Sequence, residues 1–162
     1  MQRELTDAAE KLLGDLRARK LRLVTAESCT GGLIAGYLTE CAGASDVVDR
    51  GFVTYSNEAK SELLGVPKTL LQDKGAVSAE VARAMAEGAL GVSRAQIAVA
   101  VTGVTGPGGG TAAKPVGLVY IATARAGRPT RATEFQFDDI GRGGVRRRAV
   151  GAAFAMIREV MD

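Results

Sequence analysis

Thr25-Ala26-Glu27-Ser28-Cys29-Thr30-Gly31-Gly32 is the stretch on which the fold turns. It follows the apolar run Leu21-Arg22-Leu23-Val24 and precedes an apolar-periodic segment from Leu33 to Leu38, so it reads as strand, sharp turn, helix. Two glycines and small side chains at such a turn let backbone N–H groups approach a ligand, and a helix N-terminus favours negative charge there. Ser28 and Cys29 thus place a hydroxyl beside a thiol at an anion-stabilising position. Ser, Thr and Gly are also what any strand-to-helix turn uses for capping, and neither a phosphate-loop nor a dinucleotide spacing is present. The surrounding chain has to separate the two readings.

Upstream, Leu5, Ala8, Ala9, Leu12, Leu13 and Leu16 recur at helical spacing and predict an amphipathic helix over residues 3–19. Residues 21–26 form the first strand, and the helix after Thr30 runs to about Thr39. Gly51 to Tyr55 reads as a second strand, followed by a helix capped by Ser56 or Asn57 and stopped at Gly65, and Pro67 opens a further short helical piece. Ser78 caps a helix with Val81, Ala82, Met85 and Ala89 on one face. The unbroken apolar run Ile97 to Val101 is the pattern of a strand covered on both sides, and the segment Val104 to Gly110 after it can only be a loop. Val116–Ala124 and Arg131–Phe137 flank Gly127-Arg128-Pro129 as an edge hairpin, and a last helix runs from about Gly143 to Met161. The alanine-rich faces around residues 79–91 and 145–160 suit either the core or a subunit interface. Helices before, between and after strands predict a three-layer α/β/α sandwich over a mixed, largely parallel sheet, one domain spanning residues 1–162.

The 162 residues suffice to bury about 70% of the surface that the unfolded chain exposes. Aromatic residues make up only 4%, with no Trp, and the net charge is +3, which argues against stacking platforms or a basic stripe for nucleic acid. Cys29 and Cys41 match no metal-ligand spacing, and no secretory leader or long apolar span is visible, so a cytoplasmic protein with reduced thiols is expected. The chain has no histidine. That excludes a Ser-His-Asp triad and a Cys-His dyad, and leaves Lys, Tyr, Glu or Asp as the base of any hydrolase.

In open α/β sheets, ligands sit outside the carboxyl ends of the strands. Ser28, Tyr55, Lys60 and Thr102-Gly103 all fall at that edge if their strands run parallel. A serine hydroxyl needs a base, and a desolvated lysine can serve, either directly or relayed through Tyr55, with the N–H groups of Thr30, Gly31 and Gly32 holding the oxyanion. Cys29 is the rival nucleophile if its pKa is lowered. Arg142 and Arg146 lie four apart at a helix start, where cations oppose the helix dipole; a solvated basic turn is the ordinary reading of such a cluster, and an anionic ligand such as a phosphate is the alternative.

Ala26-Glu27-Ser28-Cys29-Thr30-Gly31-Gly32, Val53-Thr54-Tyr55-Ser56-Asn57 with Lys60, Gly75-Ala76-Val77-Ser78, Thr102-Gly103 with Gly106-Pro107-Gly108-Gly109, Lys114-Pro115-Val116-Gly117, and Arg142 with Val145-Arg146 together resemble the CinA C-terminal domain family. The resemblance covers nearly the whole chain in motif order. It implies a nicotinamide-nucleotide amidohydrolase that converts nicotinamide mononucleotide (NMN) to nicotinate mononucleotide and ammonia, with Ser28, Tyr55 and Lys60 as catalytic residues. It further implies substrate contacts from Thr30, Gly31, Gly32, Asn57, Thr102, Gly103, Gly106 and Arg142, the last either pairing with the 5′-phosphate or tuning the Lys60 pKa, with no cofactor and no metal. Partners are expected to be the mononucleotide substrate and further copies of the chain, with neither nucleic acid nor membrane. The molybdopterin-binding-like domain of full-length CinA is not seen, so the stand-alone form is expected. Departures fall at Thr105 and at Ile140-Gly141, beside the phosphate or ribose contacts. A non-catalytic nucleotide-binding module is the alternative, and a protein-interaction role ranks last.

Overall fold

The computed structural model describes residues 1–162. In chain order the elements are α1 (Gln2–Ala18), β1 (Leu23–Glu27), α2 (Leu33–Thr39), a 3₁₀ turn (Ala44–Asp46), β2 (Val48–Val53), α3 (Asn57–Leu64), α4 (Lys68–Lys74), α5 (Ala79–Gly91), β3 (Ile97–Gly103), β4 (Leu118–Arg125), β5 (Arg131–Gln136) and α6 (Arg142–Glu159). The strands form one sheet in the order β2-β1-β3-β4-β5. β1 pairs parallel with both β2 and β3, whereas β3–β4 and β4–β5 are antiparallel. The sheet is therefore mixed, and its parallel part is the part that carries the Ser28 turn.

Strand alternation sorts the core into two layers. Leu23, Ile97, Val99, Val101, Val119 and Ile121 face α1, α2 and α6, while Val24, Ala26, Ala98, Ala100, Ala122 and Ala124 face the α3–α5 side. The second face is nearly all alanine. It meets Val81, Ala82, Met85, Ala86 and Ala89 of α5, so two small-residue surfaces pack closely there, and bulk fills the opposite layer. Ala82, Ala86 and Ala89 of α5 and Ala149 and Ala153 of α6 lie in the core, while Ala155 of α6 is exposed.

Both serine caps form as the sequence indicates. Ser56 Oγ accepts from the Ala59 N–H at 3.0 Å, Ser78 Oγ accepts from the Val81 N–H at 3.2 Å, and Gly65 ends α3 in the left-handed region at φ 69°. The second strand is displaced from its expected position: it begins at Val48 and ends at Val53, so Tyr55 lies beyond it. Asp49, Arg50 and Gly51 break any apolar pattern, as an edge strand open on one side allows, and pairing with β1 sets its limits. No helix is long and apolar enough to cross a membrane.

Candidate active site

Where β1 ends, both neighbouring strands hold the chain. The Ser28 N–H donates to the Val101 carbonyl at 2.9 Å and the Thr54 N–H donates to the Glu27 carbonyl at 2.8 Å. Ser28 is therefore fixed at the carboxyl edge of the parallel strands, in a cleft of about 310 Å³ that it shares with Cys29, Tyr55, Lys60, Arg142 and residues of the 102–109 loop. A larger hollow of about 650 Å³ lies along β2 and α2 and contains neither Ser28 nor Lys60.

Lys60 is the decisive side chain. It sits one helical turn before Leu64 on the inward face of α3, a position that would ordinarily be aliphatic, and is 1% exposed. Its Nζ reaches Ser28 Oγ at 2.9 Å, the Thr54 carbonyl at 2.8 Å and the Tyr55 carbonyl at 3.3 Å. None of the ion pairs of the chain involves it. Burial without a carboxylate partner disfavours the ammonium form and lowers its pKa below the ordinary lysine value. In the neutral form the two carbonyls can take the two amine hydrogens, leaving the lone pair directed at the serine hydroxyl.

The thiol next door has the opposite fate. Burial pushes the Cys29 pKa up to about 12, so it is not a thiolate at neutral pH. Cys29→Ala is expected to keep at least about a third of the wild-type rate in an ammonia-release assay, and a loss comparable to that of a Ser28 variant would reinstate the thiol.

Tyr55 contributes differently from the expected relay. Its side chain is 60% exposed, and its phenolic oxygen accepts from Arg142 Nη2 at 2.8 Å; only its backbone carbonyl touches Lys60. Arg142 also donates from Nη1 to the Gly106 carbonyl at 2.7 Å and so bridges the mouth of the cleft. Thr102 Oγ1 donates to the Ala76 carbonyl at 2.9 Å, pinning the 75–78 loop to the end of β3. Gly103 is required by space: a Cβ there would lie 2.7 Å from Val119 Cγ2 and 2.8 Å from the Leu118 carbonyl oxygen.

Three expected substrate contacts move away from the cleft. The Gly31 N–H is spent on the Ser28 carbonyl at 3.0 Å, and Gly31 and Gly32 line a different hollow beside α1. Asn57 lies on the outer flank of α3 with Glu58 and Ser61. The N–H groups of Cys29, Thr30 and Gly32 donate to no acceptor within the chain, and of these three residues Cys29 lines the cleft with Ser28. Arg146, expected to share an anion with Arg142, instead donates from Nη2 to the Thr30 carbonyl at 3.0 Å and braces the loop. Glu27, unassigned from sequence, accepts from the Ile34 and Ala35 N–H groups at 2.9 and 3.1 Å. A carboxylate ending a buried strand is the one sequence signal for it.

Residues 5–161 match the family model described as the CinA C-terminal domain. The chain belongs to the CinA C-terminal domain family. The nicotinamide-nucleotide amidohydrolase PncC of Escherichia coli is 47% identical over 152 residues, which cover 93% of this chain and 90% of that relative. A CinA-like protein of Syntrophobacter fumaroxidans is 45% identical over 156 residues, 96% of this chain. The chain spans only 36% of the length of that protein, and similarly small fractions of the other long family members. Among solved structures, the competence/damage inducible protein CihA of Agrobacterium tumefaciens superposes with a TM-score of 0.95 at 50% identity, covering 98% of this chain and 96% of that one. A CinA superfamily protein of Escherichia coli gives 0.91 at 34% identity, covering 96% and 90%.

Proposed function

We propose that this chain is an amidohydrolase that converts NMN and water to nicotinate mononucleotide and ammonia. The observation that carries the reading is the 2.9 Å contact between Ser28 Oγ and a buried Lys60 without an ion-pair partner. A module that only binds nucleotides gains nothing from burying such a lysine, which costs solvation. The 47% identity to the E. coli nicotinamide-nucleotide amidohydrolase supports the choice of substrate.

In the proposed sequence, neutral Lys60 takes the Ser28 proton as Oγ attacks the carboxamide carbon. The Cys29 and Thr30 N–H groups stabilise the developing oxyanion, a role earlier expected of Gly31 and Gly32 as well. Protonated Lys60 returns its proton to the departing nitrogen, leaving an ester on Ser28 and free ammonia. Water, deprotonated by the same amine, then cleaves the ester to carboxylate. Thr102, Gly103 and Gly106 shape the wall of the cleft. Tyr55 holds Arg142, whose guanidinium is exposed to meet the 5′-phosphate.

Ammonia release from NMN, nicotinamide riboside and nicotinamide tests this directly. NMN is expected to be the preferred substrate, and Arg142→Ala should lower kcat/KM for NMN by roughly 10- to 100-fold, the worth of a charged hydrogen bond, while hardly affecting the riboside. Equal rates on all three would refute phosphate recognition, and no ammonia from any would refute the activity.

A further inference from the structure

Among the buried titratable groups, Glu27 has no part in the reaction as written. It is 1% exposed, it ends β1, and it directly precedes Ser28. Its Oε1 accepts from the Ile34 N–H at 2.9 Å and its Oε2 from the Ala35 N–H at 3.1 Å. Those N–H groups lie in the first turn of α2, where a helix has donors without internal partners. The residue that starts the helix, Gly32, has no side chain to offer and makes no cap. The anion at this helix start is therefore the protein's own.

The two ends of the loop 28–32 thus meet in one residue. Its backbone belongs to β1, and its side chain grips α2 on the far side of the loop. The Glu27 carbonyl also accepts from the Thr54 N–H at 2.8 Å, and the Thr54 carbonyl in turn accepts from Lys60 Nζ at 2.8 Å. One residue is therefore linked to the nucleophile through the chain, to the base through Thr54, and to the helix beyond the loop. Capping alone does not call for a buried carboxylate, because a Ser or Asp at the helix start could satisfy one such donor locally.

We propose that Glu27 is a positioning residue that sets the Ser28 hydroxyl against Lys60 by closing the 28–32 loop. The proposal rests on the reading of Ser28 as the nucleophile. Both carboxylate oxygens are needed. Glutamine offers one acceptor and turns an N–H₂ toward the other backbone donor, and aspartate is one methylene too short to reach both.

The test uses the full chain and a serine-reactive fluorophosphonate, whose labelling rate constant reports nucleophile placement independently of NMN. In wild type the label is expected on Ser28, and Ser28→Ala is expected to remain unlabelled. Glu27→Gln should reach the same final labelling with a rate constant lower by about 10- to 100-fold, the scale of a misplacement near 1 Å. Its kcat for NMN should fall in parallel with little change in KM. The pH midpoint of labelling should stay in place, because burial sets the Lys60 pKa. Glu27→Asp should fall between the two and carries the comparison if the glutamine variant does not fold. A reduced labelled fraction at an unchanged rate constant in the folded variant would show a merely structural role and overturn the proposal. Wild-type labelling away from Ser28 would overturn the nucleophile reading and this proposal with it. Labelling that depends on Glu27 without ammonia from NMN would support the positioning role and overturn only the substrate.

Discussion

Ser28→Ala is expected to stop ammonia release from NMN, with kcat falling by at least about 10³-fold, as for removal of the nucleophile from other serine hydrolases. The fold should survive, since the backbone bond from Ser28 to Val101 does not involve the hydroxyl and Lys60 keeps both of its carbonyl acceptors. Cys29 cannot take over, because its thiol is held protonated by burial, with its pKa at about 12. The measurement is a coupled ammonia assay beside a thermal melt. Undiminished turnover in a folded Ser28→Ala protein would refute the serine mechanism.

Lys60→Met should lower kcat by about 10²- to 10⁴-fold, the range of a general base, in a side chain of similar length without a proton-accepting atom. In the wild-type protein, activity should rise with pH as Lys60 loses its proton, with a midpoint below the ordinary lysine value of 10.5. Lys60→Arg should not restore the rate at any accessible pH, because guanidinium stays protonated. Stability carries the same signature. Between the lowered pKa of the folded protein and the value of 10.5 in the unfolded chain, the unfolded state binds more protons, so stability rises with pH across that window. Below the window the burial of Lys60 carries its full cost. Denaturant unfolding of wild type and Lys60→Met over a pH series should show wild type gaining on the variant as pH increases. A difference that does not change with pH would mean that Lys60 is not held neutral.

What could be read from the chain depended on how local each feature is. Ser56 and Ser78 announce their caps because the donor lies three residues away, and Ile97–Val101 announces a covered strand because its apolar run is unbroken. β2 starts three residues before the apolar stretch that marks it in the sequence, because an edge strand with Asp49, Arg50 and Gly51 has no pattern of its own. Asn57 shares a motif with Tyr55 and Lys60, yet it is the exposed first residue of α3 and lines a hollow with Glu58, Ser61 and α4 rather than the cleft. Arg142 and Arg146 share a helix face by spacing, but the acceptors they meet, Tyr55 Oη with the Gly106 carbonyl and the Thr30 carbonyl, come from distant segments.

By itself the sequence determined the α/β class, the absence of histidine chemistry, and the pairing of a serine turn with a candidate lysine base. These follow from composition, periodicity and residues close along the chain. Only the tertiary structure decided that Lys60 is buried without an ion-pair partner, that Tyr55 faces Arg142, that Gly31 spends its N–H on Ser28, and that Glu27 already occupies the start of the helix after the nucleophile. Each of those facts depends on which groups from separate strands and helices lie within about 3 Å of one another, the reach of a hydrogen bond. Sequence spacing cannot encode that distance; the register of β1 against β2 and β3 does.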